Sequence, residues 1–147
     1  MLAISGCQNY QGIVWPGTVM TFENDTWRYF DENILDKTNL KYIDLTEAAV
    51  DPFDAEHVFV GSARQGLYEF NSGKFEKLHT WNNSGLTNIL DIDKFNFVSV
   101  SSLMFDEKGN LWMTNNEVDT IIKVLKSDGT WKGLYYSQIE GLPTFKR

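Results

Sequence analysis

Short segments rich in Val, Ile, Phe, Tyr and Trp alternate with clusters of Gly, Asn and Asp along the whole chain. Apolar and polar residues that alternate over a few positions predict half-buried β-strands, and the Gly, Asn and Asp clusters predict tight turns between them. Three segments share one design, in which a turn joins an apolar strand to a second strand that begins with an aromatic residue: 17–30, 66–81 and 121–136. This design predicts three β-hairpins in an all-β protein.

The hairpins belong to a longer repeat. Their leading aromatic residues, Trp27, Phe75 and Trp131, recur at intervals of about 50 residues. Two further predicted strands precede the second and third hairpins, at 42–52 with 57–62 and at 97–109 with 110–115. A unit of four antiparallel strands that recurs at this interval is typical of β-propeller blades. A single β-sandwich would also explain the alternation, but it would not explain the repeat.

The first residues complete this pattern. Leu2–Ser5 aligns with Val58–Gly61 and Leu111–Thr114, the second strands of the two later units. We therefore expect an incomplete propeller of roughly two and three-quarter four-stranded blades, cut from a larger one. The expected limits are strands two to four of one blade in 1–31, blades in 42–81 and 97–137, and a tail at 138–147.

Cys7 follows Ile4-Ser5-Gly6, a run that looks like a bacterial lipidation signal. Such a signal needs a basic start and an apolar stretch of about 7–15 residues, and neither precedes Cys7. The run is better explained as the end of a blade strand.

Composition narrows the function classes. The chain has 147 residues, is 42% hydrophobic, and carries a formal net charge of −7, so it is globular and a poor binder of nucleic acid. A single cysteine excludes an internal disulfide and a cysteine-rich zinc site. No apolar run is long enough to span a membrane, so we expect no direct membrane insertion.

The run Phe105–Asn116 resembles the Asp-x-x-Gly-x-Leu-Trp repeat of the two-component regulator propeller family. The segments 50–79 and 105–131 resemble more closely the propeller region of type IX secretion surface proteins that deliver anionic lipopolysaccharide to a sortase, and 16–32 looks like an earlier blade of it. This resemblance implies a non-catalytic binding or scaffold module at the outer-membrane surface or in the periplasm of a Gram-negative bacterium of the Bacteroidetes type. The alternative is a periplasmic glycan-sensing propeller of a hybrid two-component histidine kinase.

No pattern for catalysis, a cofactor or a metal site is evident in the sequence, so we expect no enzyme. His57 and His79 fall at strand ends without a second metal ligand at suitable spacing, and are expected to be ordinary strand-end histidines. The acidic pairs Asp51/Asp54 and Asp106/Glu107 fall in predicted turns, where Asp bonds nearby backbone N–H groups. We expect Trp112 to be buried between blades.

The loops are asymmetric. Turns between strands one and two, and between three and four, are short, whereas 7–17, 31–41 and 82–96 are long and fall on the opposite face. Long loops on a rigid scaffold concentrate binding residues. This long-loop face is predicted to bind a neutral glycan or a protein partner, through the candidate residues Asn9, Tyr10, Trp15, Arg64, Trp81, Asn82, Asn83, Asn115 and Asn116.

Two further expectations concern conformation and assembly. Leu86, Ile89 and Leu90 lie at near-helical spacing, so we expect an almost entirely β chain with at most a short helical turn, within 86–95. An incomplete propeller exposes the flat flanks of its terminal blades, and apolar flanks of that kind rarely stay bare. We therefore expect the chain to self-associate.

Overall fold

The computed structural model describes residues 1–6, 15–30, 32–89 and 96–138, and this part of the chain is almost entirely β. Three antiparallel sheets follow one another along the sequence. Their strands are β1 (Leu2–Ser5), β2 (Thr18–Glu23) and β3 (Thr26–Tyr29); β4 (Leu45–Asp51), β5 (Asp54–Ser62), β6 (Gly66–Asn71) and β7 (Lys74–His79); β8 (Val100–Phe105), β9 (Leu111–Asn115), β10 (Ile122–Leu125) and β11 (Trp131–Leu134).

Each sheet is a simple meander in which neighbours in sequence are neighbours in the sheet. The first sheet has three strands (β1–β3) and the other two have four each (β4–β7 and β8–β11), and we call them blades 1, 2 and 3. The predicted fold class, an all-β partial propeller of two full blades and one three-stranded blade, is confirmed.

The predicted hairpin turns are confirmed in blades 1 and 2. Asn24 and Asp25 join β2 to β3 with φ values of 49° and 56°. Ser72 and Gly73 join β6 to β7 with φ values of 50° and 74°. Two-residue turns with positive φ at both positions match the twist of antiparallel strands, which is why Asn, Asp and Gly are placed there.

Blade 2 supplies apolar side chains to both of its flanks, because successive residues of a strand point to opposite faces. Val58, Val60 and the β6 residues Tyr68 and Phe70 are buried in a cluster that also contains Val19 of blade 1. Phe59 and Leu67 are buried on the opposite flank, in a cluster that contains the blade 3 residues Val100, Leu111 and Met113. Blade 2 is thus packed between its neighbours.

The described part of the segment 86–95, where at most a short helical turn was expected, contains none. Residues 86–89 are not helical, and 90–95 lie outside the described residues. The backbone N–H groups of this segment bind distant acceptors instead: Thr87 N–H donates to Asn115 Oδ1 at 2.7 Å and Ile89 N–H to Phe97 O at 2.8 Å. Partners far along the chain outweigh the local spacing on which the prediction rested.

A short helix, α1 (Ile34–Thr38), lies instead in the connection between blades 1 and 2. Asn33 precedes it and accepts a hydrogen bond from Asp36 N–H at 3.3 Å, which satisfies one of the free donors at its start. Asn39 ends it with a φ of 56°, the left-handed conformation typical of helix ends. Ile34 anchors the helix in the cluster between blades 1 and 2.

The expectation that Trp112 is buried is wrong. Its side chain is 37% exposed, while its neighbours Leu111 and Met113 in β9 face blade 2 and are buried. The indole N–H of Trp112 donates to Asp106 Oδ2 at 2.9 Å and so ties the strand to the preceding turn. Position 112 has the opposite parity to the two buried residues, and alternation assigns it to the other flank.

Trp131 packs between blades 2 and 3. It lies against the cluster of Phe59 and Leu111, as does Trp81, and its ring centroid is 5.5 Å from that of His79. Trp131 also lies against Gly85, where an added Cβ would stand 2.4 Å from the Trp131 Cβ. The connection between blades 2 and 3 can therefore cross Trp131 only through a glycine.

Buried tyrosine hydroxyls lead to the first prediction. Tyr68 is fully buried, and its hydroxyl has no hydrogen-bond partner among the described residues. Because a buried polar group without a partner destabilises the folded state, Tyr68→Phe should raise the free energy of unfolding by about 1 kcal/mol. Chemical denaturation measures this change. The exposed Tyr29→Phe serves as the control and should have no effect, whereas a destabilised Tyr68→Phe would contradict the unsatisfied state of the hydroxyl.

The outer flank of blade 1 generates the second prediction. Phe22 and Trp27 stack there at 5.1 Å, and Trp27 and Tyr29 are 51% and 64% exposed. We expect the chain to self-associate through this flank, and Trp27→Ser with Tyr29→Ser to shift it toward the monomer in sedimentation velocity. Leu35→Ser, equally exposed on α1, is the control. Unchanged sedimentation of the double variant would rule out this flank as the contact.

Candidate functional site

Loops leave the meandering blades alternately at the two ends of the strands. The short-turn face carries 24–25, 52–53, 72–73, 106–110 and 126–130. The long-loop face carries the described parts of the remaining connections, including Ala63–Gln65 and the whole described stretch between β7 and β8. Two cavities, one near each face, differ in the side chains that line them.

The cavity near the long-loop face has a volume of about 460 Å³. Three of the nine predicted ligand residues lie together in it, namely Trp81, Asn82 and Asn83. Three segments form the walls of this cavity. The first is the start of the connection after β7, which contains these three residues; the second is α1 with the residues that follow it, and the third is β7 itself. The other lining residues are Lys37, Thr38, Asn39, Leu40, Phe75, Glu76, Lys77, Leu78, Thr80 and Asn96.

Asparagine side chains fold the loop that forms this cavity. Asn83 Oδ1 accepts from Thr80 N–H at 2.7 Å, and Asn83 Nδ2 donates to Leu78 O at 2.9 Å. Asn82 Oδ1 accepts from the Thr80 hydroxyl at 2.5 Å. Asn83 is therefore used by the loop itself on both of its amide atoms, whereas Asn82 is exposed and the bond from Thr80 uses its Oδ1.

The charges around the long-loop cavity nearly balance. Lys37 forms an ion pair with Glu32, and its ammonium group lies 5.8 Å from the centroid of the Phe75 ring. Glu76 and Lys77 follow each other on the exposed β7. A balanced lining with Trp81 and amide groups suits a neutral polar ligand better than a strongly charged one.

The remaining predicted residues are not brought together. Asn115 is fully buried, accepts from Thr87 N–H and donates to Ser99 O at 3.1 Å, so it links two points of the loop instead of facing a ligand. Asn116 donates to the hydroxyls of Ser99 and Ser101 at 3.2 and 3.0 Å. Arg64 pairs with Asp44 at 2.8 Å and Trp15 is 60% exposed, whereas Asn9 and Tyr10 lie outside the described residues.

A second cavity of about 520 Å³ lies between blades 2 and 3, toward the short-turn face. Its floor contains a chain of four side chains from blade 2. His57 Nε2 lies 2.8 Å from Glu69 Oε1, and His79 Nε2 lies 2.7 Å from Glu69 Oε2. His57 Nδ1 lies 3.2 Å from Asp51 Oδ2. We call this cavity the inter-blade groove.

The four groups perturb one another electrostatically. Partial burial alone would lower the pKa of His57, but hydrogen bonds to Glu69 and Asp51 outweigh it and raise this pKa above its ordinary value. The hydrogen bond from His79, supported by that from His57, holds the pKa of Glu69 below its ordinary value against the effect of burial. Carboxylates face both ring nitrogens of His57, an arrangement that favours the protonated ring because both of its nitrogens can then donate.

His57 and His79 therefore do more than end their strands, because both contact Glu69. Sequence reasoning missed Glu69, although strand parity could have indicated which flank of blade 2 it occupies. Positions 57, 69 and 79 project from the same flank of blade 2 as Phe59 and Leu67, so a glutamate in the apolar β6 had to meet a partner there. The acidic-turn predictions are confirmed, because Asp51 Oδ1 accepts from Phe53 N–H and Asp106 Oδ1 from Lys108 N–H.

The described residues contain no group of three or more His, Cys, Asp or Glu side chains with an arrangement suited to a metal ion. Within the same part of the chain, no helix is long and apolar enough to cross a membrane.

The groove's ionisable cluster generates the third prediction. The raised pKa of His57 stabilises the fold fully below its unfolded value of 6.5, and this contribution is lost as pH rises through the folded pKa. The lowered pKa of Glu69 stabilises the fold above its unfolded value of 4.5, and this contribution is lost as pH falls through the folded pKa.

The difference in unfolding free energy between the native chain and Glu69→Gln should therefore be largest between pH 4.5 and pH 6.5 and decrease on both sides. Denaturant unfolding across this pH range measures it. Glu76→Gln, on the same sheet but outside the cluster, is the matched control. A difference that does not vary with pH would exclude the ionic cluster.

No protein-family model matches the chain, and no protein of curated function matches it either. Among solved structures, the chain is similar to PorZ of Porphyromonas gingivalis, described as an essential bacterial surface component of the type IX secretion system. The two proteins share 26% sequence identity and superpose with a TM-score of 0.79 over 98% of this chain. This chain spans 19% of the length of PorZ. These findings support the resemblance to type IX secretion surface proteins, and they give no support to the resemblance to the two-component regulator propeller family.

Proposed function

We propose that this chain is a non-catalytic binding and scaffold part of a bacterial surface component of a type IX secretion system. The observation that carries the proposal is the similarity to PorZ, which extends over nearly the whole chain at 26% identity. Fold similarity alone would not assign a function, because propellers serve many functions. Here the sequence motifs of the second and third blades indicate the same group of secretion proteins independently of the fold.

Within that role, we propose that the long-loop cavity binds a neutral glycan or a protein partner. Trp81 offers an aromatic surface, Asn82 offers amide donors, and Thr80 with Asn83 keeps their loop in place. The Lys37–Glu32 pair neutralises the nearest cation, which disfavours recognition of a strongly anionic group at this point. An anionic lipopolysaccharide would then be held elsewhere in the parent protein.

Loss of the gene tests the secretion role. If the proposal is right, inactivating the gene in its own bacterium should remove type IX cargo proteins from the cell surface and leave them behind the outer membrane. Surface labelling and cell fractionation measure this, and an intact copy of the gene should restore display. Normal display in the inactivated strain would refute the role.

The binding role has its own test. Asn82→Ala in the full-length protein should weaken binding of its glycan or protein partner by about threefold to tenfold, the cost of one lost hydrogen bond. Calorimetry with neutral and anionic oligosaccharides measures it. Asn71→Ala, on the short-turn side of blade 2, is the matched control and should bind normally. Tighter binding of anionic than of neutral oligosaccharides, with strong salt dependence, would contradict the neutral cavity.

A further inference from the structure

The inter-blade groove has the composition of a ligand site. Its apolar walls are the rings of Phe53, Phe59, Phe105 and Trp131, and its polar groups converge on the floor from blade 2. Its volume of about 520 Å³ lies within the range of about 300–1,000 Å³ that is usual for small-molecule pockets. Aromatic walls around a few convergent polar groups and perturbed pKa values are the usual marks of a binding site.

Phe53 gives the groove an exposed aromatic wall. It is 73% exposed at the tip of the turn between β4 and β5. Its ring lies across the gap to blade 3, against Gly109, which has a φ of +76° and where a side chain would meet the ring at 3.2 Å. The ring therefore faces the mouth of the groove.

The floor offers hydrogen-bond acceptors. Glu69 and Asp51 keep about a fifth of their side-chain surface exposed, although each already accepts from His57. A carboxylate oxygen has two lone pairs, so each group can accept a further hydrogen bond from a ligand.

A second, independent observation concerns His79. Its side chain is 95% buried, and its Nε2 lies 2.7 Å from Glu69 Oε2. The other ring nitrogen, Nδ1, is buried and has no hydrogen-bond partner among the described residues. Since an unmade hydrogen bond at a buried nitrogen is costly, a ligand hydroxyl group that pairs with Nδ1 would be bound with a gain in free energy.

We propose that the inter-blade groove is a second binding site, and that it takes a neutral hydroxylated ring of the size of a hexose or a disaccharide. Hydroxyl groups would donate to Glu69 and Asp51 and form a hydrogen bond with His79 Nδ1, and the C–H face of the ring would lie on Phe53 and Trp131. This proposal is independent of the secretion role, because it rests on the groove alone.

Charge decides against an ionic ligand. The lining contains two carboxylates, Asp51 and Glu69, with His57 between them, and two lysines, Lys77 and Lys126. An anion would meet the carboxylates of the floor, and an organic cation would meet Lys77 and Lys126. Hydroxyl groups both donate and accept, so they satisfy both kinds of group without carrying a charge into the groove.

Methyl pyranosides of glucose, galactose, mannose and N-acetylglucosamine are suitable probes, and ligand-observed NMR on the intact protein measures their binding. Cyclohexanol, choline and glucose 6-phosphate test the importance of the hydroxyl array and of charge. At least one pyranoside should bind, and its binding should shift the imidazole resonances of His57 and His79. Phe53→Ser should weaken it about tenfold, since it removes an aromatic wall at an exposed position without touching the core.

Tyr29→Ser is the matched control, a comparably exposed aromatic residue on blade 1, and should leave binding unchanged. Glu69→Gln should also weaken binding, and its folded state is checked by the dispersion of the NMR spectrum. The proposal is overturned if no pyranoside binds, if binding survives Phe53→Ser, or if choline or glucose 6-phosphate binds more tightly than every neutral sugar. The secretion assay measures cargo display, and the Asn82→Ala measurement changes neither Phe53 nor Glu69. A failure of the proposed function in those tests can therefore be distinguished from a failure of the groove proposal.

Discussion

The burial of both flanks of blade 2 is the constraint on which the rest of the described structure depends. A single antiparallel sheet usually covers one face and leaves the other to solvent, but β5 and β6 bury residues of both parities. Val58 and Val60 face blade 1, whereas Phe59 and Leu67 face blade 3. Because neither terminal blade has such a neighbour on its outer side in the described part, blade 2 holds the other two in their relative positions.

The same constraint explains the inter-blade groove. A strand that is covered on both sides has no solvent-facing flank for a charged residue, and yet Glu69 occurs in the middle of β6. Its carboxylate is tolerated because His57 and His79, from the two strands that flank β6, donate to its two oxygens. A polar cluster of this kind needs every member, since removal of one leaves another buried without a partner.

Sequence reasoning recovered the strands, the turns and the blade pattern because those features depend on local rules. Alternation predicted β5, β6 and β9. The Asn24-Asp25 and Ser72-Gly73 pairs predicted the turn between β2 and β3 and the turn between β6 and β7. Sequence reasoning did not reach features that contacts between distant residues decide. Leu86 and Ile89 have helical spacing, but the N–H groups of Thr87 and Ile89 donate to Asn115 Oδ1 and Phe97 O. Strand parity gives the flank on which Glu69 lies, but its pairing with His57 and His79 depends on the sheet register, which parity alone does not give. The wrong prediction for Trp112 has a different cause. Alternation with Leu111 and Met113 is visible in the sequence and already places Trp112 on the outer flank of blade 3.

The contact between Gly85 and Trp131 has an evolutionary consequence. A Cβ at position 85 would stand 2.4 Å from the Cβ of Trp131, an atom that every residue except glycine carries, so a smaller side chain at 131 would not make room for one at 85. Position 85 should therefore remain glycine in an alignment of relatives, whatever residue occupies position 131. Replacement of Trp131 is limited for a separate reason, because it would uncover His79, which packs on the indole. A glycine at 85 would then mark sequences in which the second and third blades pack as they do here.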